Sequence, residues 1–275
     1  MVELSQRLGE IEAVMHGDTS TNRQQNGSKQ SSQTSYIDAV VISHEFTDHC
    51  NKRTLLELDS DTPIFATKRA VDLIRSWKFF NYVQEIPSFS KKRSDWRKTS
   101  LQPLPSWLGI SQMVSQSDAL DYHSAILMTF DLYSPRTNVA TEIAAEAEAM
   151  IYTPHGIHAK DLNPLSHAFP PIKTLILLHG LHDIQICLQR LNLGAHNGLQ
   201  AQRICQSKYW VSTHDEIKRA AGLITPWLYR SVLTLQEALN EEKEAKGKIA
   251  NGSDLADVRE VTFKDLTSGE SLLLD

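Results

Sequence analysis

The chain has 275 residues, of which 41% are hydrophobic and 22% are charged, as in an ordinary globular protein with one main domain. Its formal net charge of -5 excludes the broad basic surface of nucleic-acid-binding proteins. There is no apolar run of the roughly 20 residues that cross a bilayer, and no signal-peptide core. We therefore expect a cytoplasmic protein that binds neither nucleic acid nor membranes, and its three cysteines, without a CxxC pair, fit a reducing compartment.

The first part of the chain alternates between strand and helix patterns. Residues 1–35 are mostly polar and are predicted to be largely disordered. Apolar spacing then predicts strands at 36–42 and 64–66 and helices at 51–58 and 68–77. This order predicts a layered α/β domain over residues 36–230, with helices packed against a sheet.

The second part is richer in strand patterns. Short apolar runs predict strands at 125–130, 149–152, 173–178 and 209–212, and helical patterns occur at 199–206, 216–222 and 233–248. The Ala/Glu stretch at 142–148 favours a solvated loop or helix. Residues 231–275 form a predicted extension that ends in a hairpin at 261–274, centred on Ser268 and Gly269.

The most informative stretch follows the first predicted strand, where residues 44–49 read His-Glu-Phe-Thr-Asp-His. A buried strand holds the side chains at its carboxyl end with little freedom, so imidazole and carboxylate groups placed there can converge on a divalent cation. The pattern therefore predicts a metal site. Cys50 adjoins it, and we expect a small buried side chain there in preference to a metal ligand or a nucleophile.

The stretch resembles the His-x-His-x-Asp-His motif of the metallo-β-lactamase superfamily, in which the first two histidines serve one metal and the Asp-His pair serves the other. Phe46 stands in the place of the second histidine and has no lone pair to donate, so the first metal position should bind weakly or be unfilled. The resemblance implies an αββα sandwich. Superfamily domains run through several strands before this motif, so we also expect an incomplete first sheet, as in a truncated product with uncovered edges and poor stability.

Three later histidines extend the resemblance. His123, in a His-Ser step before a strand, is similar to the third histidine ligand, and His214 is similar to the last one; the alternative for His123 is a histidine hydrogen-bonded at a strand end. His155 stands where the family has a bridging aspartate, which removes a negative charge and favours one metal over two; a plain turn histidine is the alternative. Asp215 is expected either to orient an imidazole or to cap a helix.

The implied ligands supply nitrogen and oxygen donors that suit one or two zinc ions, with manganese or iron as further candidates. Their full set is His44, Asp48, His49, His123, His155 and His214. In the family, the aspartate that corresponds to Asp48 also orients the water that attacks the substrate.

These residues predict a metal-dependent hydrolase that attacks an ester, lactone, thioester or phosphoester of a small molecule. His179 or His196 is expected to stabilise the developing oxyanion or to protonate the leaving group. His182 and Asp183 are expected near the same pocket. The first alternative is a non-catalytic relative that binds a small ligand or a partner. The second is an iron protein that reduces small oxidants, but that chemistry needs the carboxylate bridge that this chain lacks.

Overall fold

The structure is a computed structural model that describes residues 37–114, 118, 121–132, 146–187, 189–215, 225–249, 262–267 and 269–274. The chain divides into two compact units, Met1–Glu85 and Ile86–Asp275. The disordered segment predicted at 1–35 and the helix predicted at 216–222 lie outside the described residues. No helix among the described ranges combines the length and the apolar character that a bilayer crossing requires.

The first unit contains a parallel sheet of three strands in the order β1-β2-β3. The strands are β1 (Val40–Ile42), β2 (Ile64–Ala66) and β3 (Val83–Glu85), and the helices are α1 (Lys52–Leu55) and α2 (Lys68–Ser76). Ala70, Val71 and Ile74 recur at helical spacing along α2 and are buried in one cluster with Ile64 and Ala66 of β2. The predicted strands and helices of this unit are present, but β1 begins at Val40 where the prediction began at residue 36, and β3 was not predicted.

Helix α1 is shorter than predicted. The side chain of Asn51 accepts a hydrogen bond from the backbone N–H of Thr54 and caps the amino end. Beyond Leu55 the chain continues as tighter turns, because Glu57 donates to Thr54 and Leu58 donates to Leu55. The predicted helical pattern thus covers one helical turn and the turns that follow it.

The second unit is built around a mixed sheet of six strands in the order β12-β10-β7-β6-β5-β4, beside a smaller antiparallel sheet in the order β11-β8-β9. Its strands are β4 (Leu108–Val114), β5 (Ser124–Asp131), β6 (Ala147–Thr153), β7 (Ile172–His179), β8 (Asp183–Ile186), β9 (Gln189–Asn192), β10 (Tyr209–Val211), β11 (Leu228–Ser231) and β12 (Thr262–Lys264), and its helices are α3 (Ala195–Cys205) and α4 (Leu235–Ile249). Strands β6, β7, β10 and β12 are parallel neighbours, while β4, β5 and β6 are antiparallel.

The core of the second unit lies against this larger sheet. Leu127, Ile151 and Leu177 come from three adjacent strands and are fully buried, together with Leu162 and with Ala201 of α3. In β6 buried and half-buried positions alternate, as expected when one face of a strand meets a core. Four predicted strands are therefore confirmed, and these strands fix the positions of the loops that follow them.

Two expectations for the second unit are wrong. The hairpin predicted at 261–274 does not form in the described residues: β12 pairs in parallel with β10, and residues 265–267 and 269–274 form no strand. Of the predicted loop or helix at 142–148, residues 142–145 lie outside the described residues, and Ala147 and Glu148 begin β6, because pairing with β5 and β7 outweighs the helical tendency of Ala and Glu.

Strand β4 was not predicted from the sequence. Its inward positions include Gly109 and Ser111, which weaken the apolar alternation on which strand prediction depends. A Cβ atom on Gly109 would lie 2.5 Å from the hydroxyl oxygens of Thr129 and Thr99, so the missing side chain makes room for these two groups.

Candidate metal centre

In the first unit, a tight turn after β1 brings the motif side chains together. The backbone N–H groups of His49 and Cys50 both donate to the carbonyl of Phe46, over 2.9 and 2.7 Å. This turn folds the chain back so that the ring centroids of His44 and His49 lie 5.4 Å apart. A ring nitrogen of His44 and one of His49 lie within 4.8 Å of each other, a separation that a small adjustment converts to shared coordination of one ion.

The three polar side chains of this turn differ in exposure. His44 is buried, and the side chain of His49 is only 6% exposed, whereas that of Asp48 is 43% exposed. The Oδ2 atom of Asp48 lies 3.8 Å from Nε2 of His49. Imidazole and carboxylate groups are donor types that suit zinc. The exposed carboxylate is the one of these three side chains that solvent water can reach.

The ring of Phe46 covers one side of its neighbour His44. The two rings stack, with centroids 5.6 Å apart and an angle of 14° between the ring planes. An apolar ring in this position shields one face of the imidazole and supplies no donor.

The three cysteines of the chain are free thiols in different surroundings. Cys50 is buried, and burial, followed by the charge of Glu45, raises the pKa of its thiol to about 11. At neutral pH it stays protonated, which agrees with the expected small buried side chain. Burial likewise raises the pKa of Cys205 to about 11, whereas Cys187 is exposed.

In the second unit, His155 lies in a sharp turn immediately after β6. The next residue, Gly156, has a φ of +81°, and a Cβ atom there would lie 2.6 Å from Cβ of Leu193. The N–H of Leu193 donates to the carbonyl of His155 over 3.0 Å. Only glycine fits this turn without strain, so the backbone at His155 is held firmly.

The ring of His155 is positioned by three neighbours. Its Nδ1 atom lies 3.1 Å from the amide oxygen of Asn192, the ring of Tyr122 stacks on it at 4.3 Å, and the ring of His214 meets it edge to face at 5.2 Å. Because an amide oxygen only accepts hydrogen bonds, Nδ1 carries the proton and Nε2 carries the lone pair. This is the arrangement by which outer groups orient a metal-binding histidine. Sequence reasoning missed Asn192, which has no local signature in β9.

His123 is buried and lies beside the same turn, but its ring faces two carbonyl oxygens. Nδ1 lies 3.2 Å from the carbonyl of His155, and Nε2 lies 3.2 Å from that of Arg190. Burial lowers the pKa of His123 and favours the neutral ring, which has a single N–H to donate. This geometry fits the alternative of a hydrogen-bonded histidine at a strand end better than the ligand role.

His214 follows β10 in the left-handed region, with a φ of 65°. Its neighbour Asp215 accepts hydrogen bonds from the backbone N–H groups of Leu181 and His182, over 2.7 and 2.9 Å. The carboxylate therefore holds the loop after β7, a role that differs from orienting an imidazole. The helix that it was predicted to cap lies outside the described residues.

The two histidines expected to act on the oxyanion or the leaving group both bond to other groups of the protein. His179 is fully buried, with Nδ1 2.6 Å from the carbonyl of Gly180 and Nε2 3.0 Å from Oδ1 of Asn197, and burial lowers its pKa. His196 lies on α3, and its Nε2 atom is 2.8 Å from a carboxylate oxygen of Glu241 on α4. The first packs the core and the second links two helices.

No protein-family model and no curated protein matches the chain. Among solved structures, an isothiocyanate hydrolase from Delia radicum gut bacteria matches with 14% identity and a TM-score of 0.50, over 86% of this chain and 76% of that one. A metallo hydrolase from the hyperthermophilic archaeon Ignicoccus hospitalis matches with 11% identity and a TM-score of 0.45, over 89% and 84% of the two chains. At such identities a likeness concerns the fold and leaves function to the site. The chain has a mixed α/β, metallo-β-lactamase-like fold.

Proposed function

We propose that the chain is a metal-dependent hydrolase that acts on a small molecule. The observation that carries this proposal is the turn after β1, where His44 and His49 present ring nitrogens within 4.8 Å of each other next to the carboxylate of Asp48. A structural role for this turn would not require two imidazoles and an acid at the end of a buried strand.

The proposed ligands form two groups. The first group is His44, Asp48 and His49 in the first unit, and the second is His155 and His214 in the second unit. Their imidazole and carboxylate donors suit zinc. His155 adds support because its hydrogen bond to Asn192 leaves the lone pair on Nε2, the tautomer that a metal ligand needs. We leave His123 out of the ligand set because both of its ring nitrogens face carbonyl oxygens.

Bound zinc would lower the pKa of a water molecule toward neutrality and polarise the group under attack. The chain's own side chains supply the rest. Asp48 is exposed enough to accept a hydrogen bond from the attacking water and to orient it. Asn192 and Tyr122 hold the ring of His155 in place, and Phe46 keeps solvent from one face of His44.

A non-catalytic relative that binds a small ligand is the second candidate. Two substitutions favour it: Phe46 replaces a histidine of the family motif, and His155 replaces the bridging aspartate. Both substitutions remove donors or negative charge from the expected centre, which weakens metal binding.

The test is the metal content of the purified protein by mass spectrometry, together with turnover of p-nitrophenyl butyrate and bis(p-nitrophenyl) phosphate. We expect near-stoichiometric metal, and in both His49→Ala and His214→Ala we expect loss of metal and a fall in turnover of about 100-fold or more. His167→Ala is the matched control, because this histidine is exposed and its ring bonds to Ser166 and Asn163 of its own turn.

The outcomes separate the candidates. If both variants lose metal and turnover, the proposed ligand roles of His49 and His214 are supported. If His214→Ala keeps its metal and its activity, the proposed role of the second group is wrong. A metal-free wild-type protein without turnover would contradict the hydrolase and support the ligand-binding candidate.

A further inference from the structure

A hollow of about 570 Å³ lies in the second unit beside His214. This volume is within the range of roughly 300–1,000 Å³ that is typical of small-molecule sites. One wall is apolar and comes from residues at and before the start of α4 and from residues in and after β12: Leu233, Leu235, Phe263 and Leu266. A polar wall is formed by His182, Asp215, Ser212 and Asp265. A lining that combines apolar side chains with a few polar groups suits a ligand with an apolar chain and one polar end.

His182 is the polar group of this wall that is least satisfied by the protein. Its side chain is only 10% exposed, and its Nδ1 atom has no hydrogen-bond partner in the part of the chain that the structure describes. The nearest carboxylate oxygen, Oδ1 of Asp215, lies 3.7 Å away, which is too long for a hydrogen bond. A nearly buried polar group without a partner costs free energy, and a ligand in the hollow would remove that cost.

The charges of the wall indicate what kind of ligand fits. Asp215 and Asp265 both line the hollow, and the described lining residues include no lysine or arginine. Asp265 accepts a hydrogen bond from the hydroxyl of Ser212 over 2.6 Å, and Asp215 accepts from two backbone N–H groups. Fixed carboxylates without a lysine or arginine beside them disfavour an anionic group placed against this wall.

We propose that this hollow is the substrate pocket of the hydrolase and that it selects a neutral carbonyl ester, lactone or thioester with an apolar chain over an anionic phosphoester. This inference rests on the proposed function. Hydrolysis of such a substrate breaks the bond from the acyl carbon to oxygen or sulfur. Water supplies the hydroxyl group to the acyl carbon and a proton to the leaving alcohol or thiol. His182 binds the polar end of the substrate, and the leucines and Phe263 surround its chain.

The first test is a series of p-nitrophenyl esters with acyl chains of increasing length. We expect kcat/KM to rise about fourfold for each added methylene until the hollow is full, which is the factor that corresponds to burial of one methylene. Turnover of bis(p-nitrophenyl) phosphate should be much slower than that of the best ester. Equal turnover of the phosphodiester, or no dependence on chain length, would overturn the proposal.

The second test concerns the charge of the wall. In Asp265→Asn we expect the ratio of kcat/KM for an anionic ester, mono(p-nitrophenyl) succinate, to that for the neutral butyrate to rise about fivefold, because one fixed negative charge is lost. Asp72→Asn is the control, since Asp72 is an exposed carboxylate of α2 in the first unit. An unchanged ratio in Asp265→Asn would contradict the assignment of this wall.

A binding measurement tests the pocket independently of catalysis. Hexanamide is a neutral carbonyl compound that is not expected to turn over, and calorimetry should detect its binding to the full chain with chelator present. His182→Phe keeps a ring but removes its nitrogens, and we expect about tenfold weaker binding. If the protein binds hexanamide but holds no metal, the pocket stands and the hydrolase fails. If it turns over esters but neither binds hexanamide nor responds to His182→Phe, the pocket is wrong.

Discussion

The turn after β1 and the cluster around His155 present histidines in different ways. In the first, neighbouring residues of one turn supply two imidazoles and a carboxylate, and one backbone carbonyl, that of Phe46, holds the turn. In the second, His155 and His214 follow separate strands, and their geometry depends on Asn192 and Tyr122 from elsewhere in the chain. A contiguous motif reveals its donors directly, whereas a dispersed cluster is defined as much by the groups that orient its donors.

The largest expected effect is a loss of metal affinity, and it should occur in a variant of only one of two asparagines that bond histidine rings. Asn192 bonds the ring of His155, a proposed ligand, and Asn197 bonds the ring of His179, a core residue. In Asn192→Leu we expect metal affinity to fall about 10- to 100-fold, because loss of the hydrogen bond frees the tautomer and the ring. Titration with zinc against a competing chelator measures this change.

The matched variant Asn197→Leu loses the same kind of bond in the core. It should lower the free energy of unfolding by about 1–3 kcal/mol, because a buried histidine is left without its partner, while metal affinity stays unchanged. If both variants lowered metal affinity equally, the hydrogen bond of Asn192 would have no special role in orienting a metal ligand.

The second prediction concerns the missing donor of the motif. Phe46→His adds a histidine where the motif that residues 44–49 resemble has one, and we expect metal affinity to rise about tenfold, or about 1.4 kcal/mol. The control is Phe46→Leu, which stays apolar and adds no donor. A gain of affinity in both variants would mean that loss of the stacked ring on His44, and not the new imidazole, is responsible.

The smallest effect is a pH dependence of stability that comes from the second unit. Burial lowers the pKa of His179 below its ordinary value of 6.5, so between these two values the unfolded chain binds a proton that the folded chain does not. Stability should therefore fall as the pH drops below about 6.5, by at most about 1.4 kcal/mol per pH unit for this residue. His123 shifts in the same direction.

Urea unfolding between about pH 7 and about pH 5, with chelator present, measures this slope. The variant His179→Gln removes the titrating group, and its slope should be smaller even if the variant is less stable overall. Equal slopes in the two proteins would show that His179 does not account for the acid sensitivity.

Sequence patterns predicted most of the regular structure because burial sets the apolar spacing of α2, β5 and β7. They missed β3, β8, β9 and β11, and also β4, where Gly109 and Ser111 face inward. They placed a hairpin where β12 instead adds to β10 in parallel. Pairing between distant segments leaves little trace in local composition.

For the candidate site, the sequence predicted the motif residues, His155 and His214 as candidate ligands, but it did not predict the groups that hold their side chains in place. Asn192 carries no local signal in β9, and the two backbone bonds of Asp215 depend on the loop after β7. The roles of His179 and His123 depend on which carbonyl oxygens their ring nitrogens meet, and only the folded chain determines that.

The unequal surroundings of the three thiols have a practical consequence. Cys50 and Cys205 are buried and protonated at neutral pH, whereas Cys187 is exposed beyond the end of β8. A maleimide reagent should therefore modify Cys187 alone. This gives the native sequence one ready attachment point for a fluorophore or spin label, so that movements of the smaller antiparallel sheet can be followed without engineering a cysteine.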